Sequence, residues 1–155
     1  MSAQSIPTVK VQRLIDATPE EVFSAWIEAD LVARWFAPGA MRAVVVAYEA
    51  RPGGQYRVEM HDDAEGKVHT VTGRFVEVQS PRRLVMTWVW VGGENREIKN
   101  HETLLTVEFA ARRGGTEVTL LHERFSDQAS ADRHAHGWTA VLENLAQRIG
   151  SFKAV

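Results

Sequence analysis

Two histidines and a tyrosine are the side chains best suited to chemistry in this sequence. His122 stands in GGTEVTLLHERF, which alternates like a strand, and His134 in ADRHAHGWTAVLENL, which has helical spacing. An imidazole near neutral pH can donate, accept or shuttle a proton. Tyr56, in GGQYRVEM, offers a phenol that can donate a hydrogen bond. These three are the candidates for catalysis. The competing reading has each histidine bonded to a neighbouring group and serving structure alone. His61 and His69 flank DDAEG and are placed to pair across a hairpin, but two ligands without a positioned third make no metal site. His134 and His136 lie two apart on a helix, face different ways and cannot chelate one ion. GxSxG, HExxH and Gly-rich phosphate loops are all missing. Neither a metal nor a cofactor is expected.

The second feature is LVMTWVWVGG, residues 84–93. With strand periodicity, Leu84, Met86, Trp88 and Trp90 share one face, and Val85, Thr87, Val89 and Val91 the other. Equivalent inward positions on other strands carry Tyr56, Met60, Phe75, Leu105, Val107, Phe109 and Leu120. Such a set either fills a core, each aromatic burying about 150–250 Å², or lines a cavity in which methionines and rings adapt to an apolar guest. The candidate ligand-binding residues are Trp35, Tyr56, Met60, Phe75, Met86, Trp88, Trp90, Leu105, Val107, His122, Trp138 and Val141.

These residues need elements to position them. Val9 to Ile15 alternates and reads as a strand. In ATPEEVFSAWIEAD, Thr18 is a helix N-cap, Pro19 takes the first helical position and Glu21 completes a capping box. The helix runs from 19 to about 28, with Val22, Phe23, Trp26 and Ile27 as its buried stripe. Asp30 then caps a second short helix, LVARWF, ended by Pro38-Gly39. Six strands follow, near 41–49, 54–62, 67–79, 83–91, 101–111 and 115–124, separated by RPGG, DDAEG, QSPR, GGENRE and RRGG. Short connections make an antiparallel meander. GGENREIKN is its longest interruption, a candidate mobile loop at one rim.

The final helix is capped by Ser126 or Ser130, and Gly150 is placed for a left-handed turn at its end. His134, Trp138, Val141, Leu142, Leu145 and Ile149 form one stripe, away from Arg133, His136, Glu143 and Gln147. Gly137 inside it costs about 1 kcal/mol against alanine, which implies close approach by another element such as Trp35-Phe36. About 23 helical residues span roughly 35 Å, the length of a ten-residue strand. One long helix can therefore bury its stripe along a twisted sheet curled around it, with the two short helices closing one end.

The segments ATPEEVFSAWIEADLVARWFAPG, EARPGGQYRV, GRFVEVQSPRRLVMTW, GGTEVTLLHERF and HGWTAVLENL, in that order, resemble the bacterial proteins related to the activator of the heat-shock-protein-90 ATPase. That family belongs to the START/Bet v/SRPBCC superfamily, and the resemblance runs from about residue 8 to 150. It implies an α+β helix-grip fold: a curved antiparallel sheet wrapped around the C-terminal helix, over a deep cavity. One domain over 1–155 is expected. The resemblance admits three functions: binding of a small hydrophobic or aromatic ligand, a polyketide cyclase or aromatase-like enzyme using the same cavity, and co-regulation of a chaperone ATPase. Eukaryotic activators place this domain after a chaperone-binding one. Here the first strand begins within about ten residues of the start, which counts against the third.

Composition narrows the partners. A formal net charge of -2 and scattered basic residues provide no field for nucleic acid or anionic membrane. The absence of cysteine excludes disulfides and thiolate chemistry and fits a reducing cytoplasm. The start, MSAQSIPTVKVQ, has no basic region followed by an apolar run, and no apolar stretch approaches the ~20 residues of a membrane span. The expected partner is a small apolar molecule, bound by a cytoplasmic monomer or weak homodimer.

Overall fold

The computed structural model describes residues 7–92 and 101–153. The chain runs β1 (Val9–Ile15), α1 (Pro19–Ile27), α2 (Ala29–Val32), β2 (Arg42–Tyr48), β3 (Gln55–Asp62), β4 (Lys67–Gln79), β5 (Arg83–Gly92), β6 (Thr103–Arg112), β7 (Gly115–Glu123) and α3 (Gln128–Arg148), with a final 3₁₀ turn at Ile149–Lys153. Seven strands form one antiparallel sheet in the order β1-β7-β6-β5-β4-β3-β2. The meander supplies consecutive neighbours, and β1 joins its far edge against β7. This is the curved open sheet of an α+β helix-grip fold.

Local rules explain the elements. Thr18 Oγ1 accepts from the Glu21 N–H at 3.2 Å, while Glu21 Oε1 accepts from the Thr18 N–H at 2.9 Å. The capping box thus satisfies two donors that the first turn leaves free. β7 buries every second residue, placing Thr116, Val118, Leu120 and His122 inside. Antiparallel register carries that face across the sheet: Val9 opposes His122, His122 opposes Leu105, Leu105 opposes Met86 and Met86 opposes Phe75. Residues directly opposite share a face, so this row forms one continuous inner surface. The α3 stripe lies against it, with His134, Trp138, Val141, Leu142, Leu145 and Ile149 all buried.

Side-chain bonds fix how the helices sit. Asn144 Nδ2 donates to the Ala37 carbonyl at 2.7 Å and Arg148 Nη1 to the Arg34 carbonyl at 2.7 Å, tying α3 to the turn after α2. Arg13 on β1 pairs with Glu143 on α3 at 2.9 Å.

Several local expectations are corrected. Asp30 lies within α2, whose N-cap is Glu28 without a side-chain bond. Asp127, not Ser126 or Ser130, caps α3: its carboxylate accepts from the Ser130 N–H at 2.7 Å, and that bond holds its pKa below the usual range. Gly150 belongs to the 3₁₀ turn and has no left-handed φ. A Cβ on Gly137 would meet nothing within 4 Å, so no element packs closely there. Close approach occurs instead at Gly73, where a Cβ would lie 2.1 Å from the Thr87 carbonyl oxygen and 2.7 Å from Tyr56 Cε1. His69 opposes Met60 whereas His61 opposes Val68, so the two histidines point to opposite faces of the hairpin. His61 Nε2 bonds Glu59 Oε1 at 2.9 Å instead. Most of GGENREIKN falls outside the described residues.

Candidate functional site

The inner face gathers into three adjoining aromatic groups. At the β2–β4 side, Tyr56 packs against Tyr48 and Phe75, with centroids 6.0 and 5.6 Å away, and those two rings touch each other at 5.3 Å. Gly73 lies opposite Tyr56 in register and leaves the ring room to cross the strand. The Tyr56 hydroxyl donates to the Thr87 carbonyl at 2.5 Å and that of Tyr48 to the Trp26 carbonyl at 2.6 Å. Burial, reinforced by Tyr48, pushes the Tyr56 phenol well above its ordinary pKa. It remains a neutral donor already committed to a backbone oxygen.

The centre is built from Trp26, Trp35, Phe36, Trp88 and Trp138. Trp138 sits 5.0 Å from Trp88, 5.7 Å from Phe36 and 6.2 Å from Trp26. Trp35 lies 4.8 Å from Trp26 and donates its indole N–H to the Ala25 carbonyl at 3.0 Å. All these separations fall within the contact range of aromatic pairs, about 4.5–7 Å. Met60, Met86, Leu105, Val107 and Val141 are buried around them. Trp26 and Phe36 belong to this centre although the inward alternation of the strands could not reveal them. Trp26 Nε1 and Trp88 Nε1 are buried without a hydrogen-bond partner.

The third group joins His122, His134, Trp90 and Phe125. Trp138 donates to His122 Nδ1 at 3.0 Å, so the proton of His122 sits on Nε2 and faces Thr103 Oγ1 at 2.6 Å. Thr103 in turn donates to the Trp88 carbonyl at 3.0 Å. Trp90 donates to His134 Nε2 at 2.9 Å, so Nδ1 of His134 carries the proton and donates to the Ser130 carbonyl at 2.7 Å. Phe125 packs against both imidazoles, 4.4 Å from His122 and 4.7 Å from His134. Burial lowers both histidine pKa values, for His122 well below the ordinary value with His134 adding to the effect; for His134 the Ser130 bond opposes the shift. Both imidazoles are therefore neutral, and every ring nitrogen has a partner. The bonded, structural reading describes them, and it needed Thr103, Ser130 and Phe125, which carry no linear signal. Beside this group Arg124 holds φ at 74°, rare for a side-chain-bearing residue, and its carbonyl accepts from His101 Nε2 at 2.7 Å.

Of the twelve candidate ligand-binding residues, eleven are buried and Trp90 is half-buried. Among the described residues no Asp, Glu, Lys or Arg side chain is buried, no group of three or more metal-ligating side chains assembles, and no helix is long and apolar enough to cross a membrane. The interior is apolar and aromatic, and among the described residues it places no buried charge against an ion.

Solved structures share this architecture. A Chromobacterium violaceum protein superposes with a TM-score of 0.83 at 24% identity, over 92% of this chain and 96% of its own. One from Rhodobacter sphaeroides gives 0.79 at 20% identity, over 98% of each chain. An AHSA1 protein from Silicibacter pomeroyi gives 0.79 at 20% identity, over 92% of this chain and 97% of its own. No curated protein matches the sequence. The family model described as "Activator of Hsp90 ATPase homolog 1-like protein" matches residues 16–150. With the helix-grip topology already in place, the chain belongs to that family, within the SRPBCC superfamily.

Proposed function

We propose that the protein binds a small hydrophobic or aromatic molecule between the sheet and α3, in a cytoplasmic setting. The observation that carries this reading is the convergence of Met60, Met86, Trp88 and Trp138 from two strands and one helix onto an interior with no buried ionised side chain among the described residues. Methionine and tryptophan together favour a pliable apolar host, since thioethers change rotamer cheaply and rings give large contact areas. Membership of a helix-grip family, whose relatives commonly hold apolar ligands in this place, supports it. The cyclase-like alternative asks more of the same residues. His122 or Tyr56 would have to abandon an existing hydrogen bond before acting on a substrate.

The test is a panel of uncharged lipophiles titrated against the full chain. Tryptophan emission should shift and the melting temperature should rise, because a ligand that binds only the folded state stabilises it by mass action. A panel that changes neither reading overturns the proposal.

A further inference from the structure

The two unpaired indole N–H groups say what such a guest looks like. A buried donor without a partner costs about 1–3 kcal/mol, and most buried polar groups find one. In this interior the other three indoles do: Trp35, Trp90 and Trp138 each donate to a defined acceptor. Trp26 and Trp88 do not. Trp26 is enclosed by Trp35, Phe36, Phe109 and Trp138, all rings without an acceptor oxygen. Trp88 is also ringed, by Phe36, Trp90, His122 and Trp138 at 5.9, 5.5, 5.6 and 5.0 Å, but its neighbour Trp90 is half-buried, so Trp88 belongs to the centre and borders the surface end. Its own carbonyl and the two nearby histidines are already taken.

Resting on the ligand-binding reading above, we infer that the guest is an uncharged molecule with an apolar, ring-sized body and a hydrogen-bond-accepting oxygen, a ketone or lactone for example, which the Trp88 indole N–H holds. The oxygen supplies the acceptor that the protein lacks at Trp88. The uncharged requirement follows from the surroundings, because burying an ionised group without a counter-charge is costly. The histidines cannot provide one while each keeps an indole N–H on a ring nitrogen.

The matched pair tetralin and 1-tetralone, which differ by one carbonyl, tests the assignment on the full chain. Trp88→Phe keeps a ring and removes the donor. The ratio of tetralone to tetralin affinity should fall roughly fivefold in Trp88→Phe, the usual worth of one net hydrogen bond. In the native protein the Trp88 indole proton should move downfield in NMR spectra with tetralone and not with tetralin, a reading that needs no variant. The anion 1,2,3,4-tetrahydro-1-naphthoate should bind at least about tenfold more weakly than tetralone. An unchanged ratio with an unmoved indole proton overturns the assignment, as it would if a water or a ring face satisfied Trp88. An anion that binds as well as the ketone overturns the uncharged half. If neither tetralin nor tetralone binds and the wider panel is also silent, the ligand-binding reading fails and takes this inference with it; binding of both without discrimination sinks the inference alone.

Discussion

The histidine end and the tryptophan centre of this interior are differently held. At the histidine end the polar side-chain atoms have defined partners: Trp138 donates to His122, His122 to Thr103, Thr103 to the Trp88 carbonyl, and Trp90 to His134. Directional bonds of this kind permit one arrangement of the rings. At the centre, Trp26 and Trp88 touch Phe36 and Trp138 by ring contacts alone. Ring packing tolerates small rotations that a hydrogen bond does not. The difference assigns rigidity to one end and adaptability to the other.

The sharpest way to break that contrast is at His122. Truncation to alanine opens a cavity against Phe125 and Trp88 and strips the Trp138 N–H of its acceptor. Cavity and unsatisfied donor together should cost about 3 kcal/mol, read as a fall in melting temperature of roughly 10 °C. A loss below about 1 kcal/mol would show that the histidine end is no more tightly specified than the rest.

Acidification attacks the same end without mutation. Burial lowers the pKa of His122 and of His134 in the folded state, so the unfolded chain binds more protons below its ordinary histidine pKa of about 6.5. Stability from these groups is therefore complete above that pH and is lost as pH falls beneath it. The slope is at most about 1.4 kcal/mol per pH unit for each histidine. Protonation also turns the acceptor nitrogen of each ring into a donor, which is incompatible with the indole N–H it faces. Melting curves from pH 7.5 to 5 should show the decline, and His134→Gln should make it shallower. A flat profile over that range would remove the neutral-imidazole assignment.

Much of this scaffold was legible in the residues. Alternation marked β7, a run of branched and aromatic residues between turn signals marked β5, and the TPEE run marked the start of α1, because these patterns follow from backbone geometry within a few residues. The wheel of α3 placed Trp138 and His134 inward for the same reason. What stayed hidden depends on partners far apart in the chain. Nothing in HERFSDQ distinguishes Asp127 from its serine neighbours as the cap until the turn is built. His61 and His69 looked paired because they flank one turn, and only the register separates their faces. The bonds from Trp138 to His122 and from Trp90 to His134 join residues 16 and 44 positions apart, so the commitment of both imidazoles had no local signature. Gly137 has open surroundings, so a glycine inside a helix does not by itself imply a close neighbour.

The finest discrimination between the two regions compares Trp138→Phe with Trp88→Phe. Both replacements remove the same atoms from buried rings of one cluster, 4% and 2% exposed, so the loss of buried area is similar. They differ in what the lost N–H was doing. Trp138→Phe deprives His122 Nδ1 of its donor and leaves a buried acceptor bare, whereas Trp88→Phe removes a donor that had no partner. An unmade hydrogen bond costs more than one absent on both sides, so Trp138→Phe should be the less stable variant by about 1–2 kcal/mol in urea unfolding, with similar slopes for the two. Equal stabilities would mean that the Trp88 N–H is satisfied after all, by a water or by a ring face. The contrast between a bonded end and an adaptable centre would then lose its physical basis.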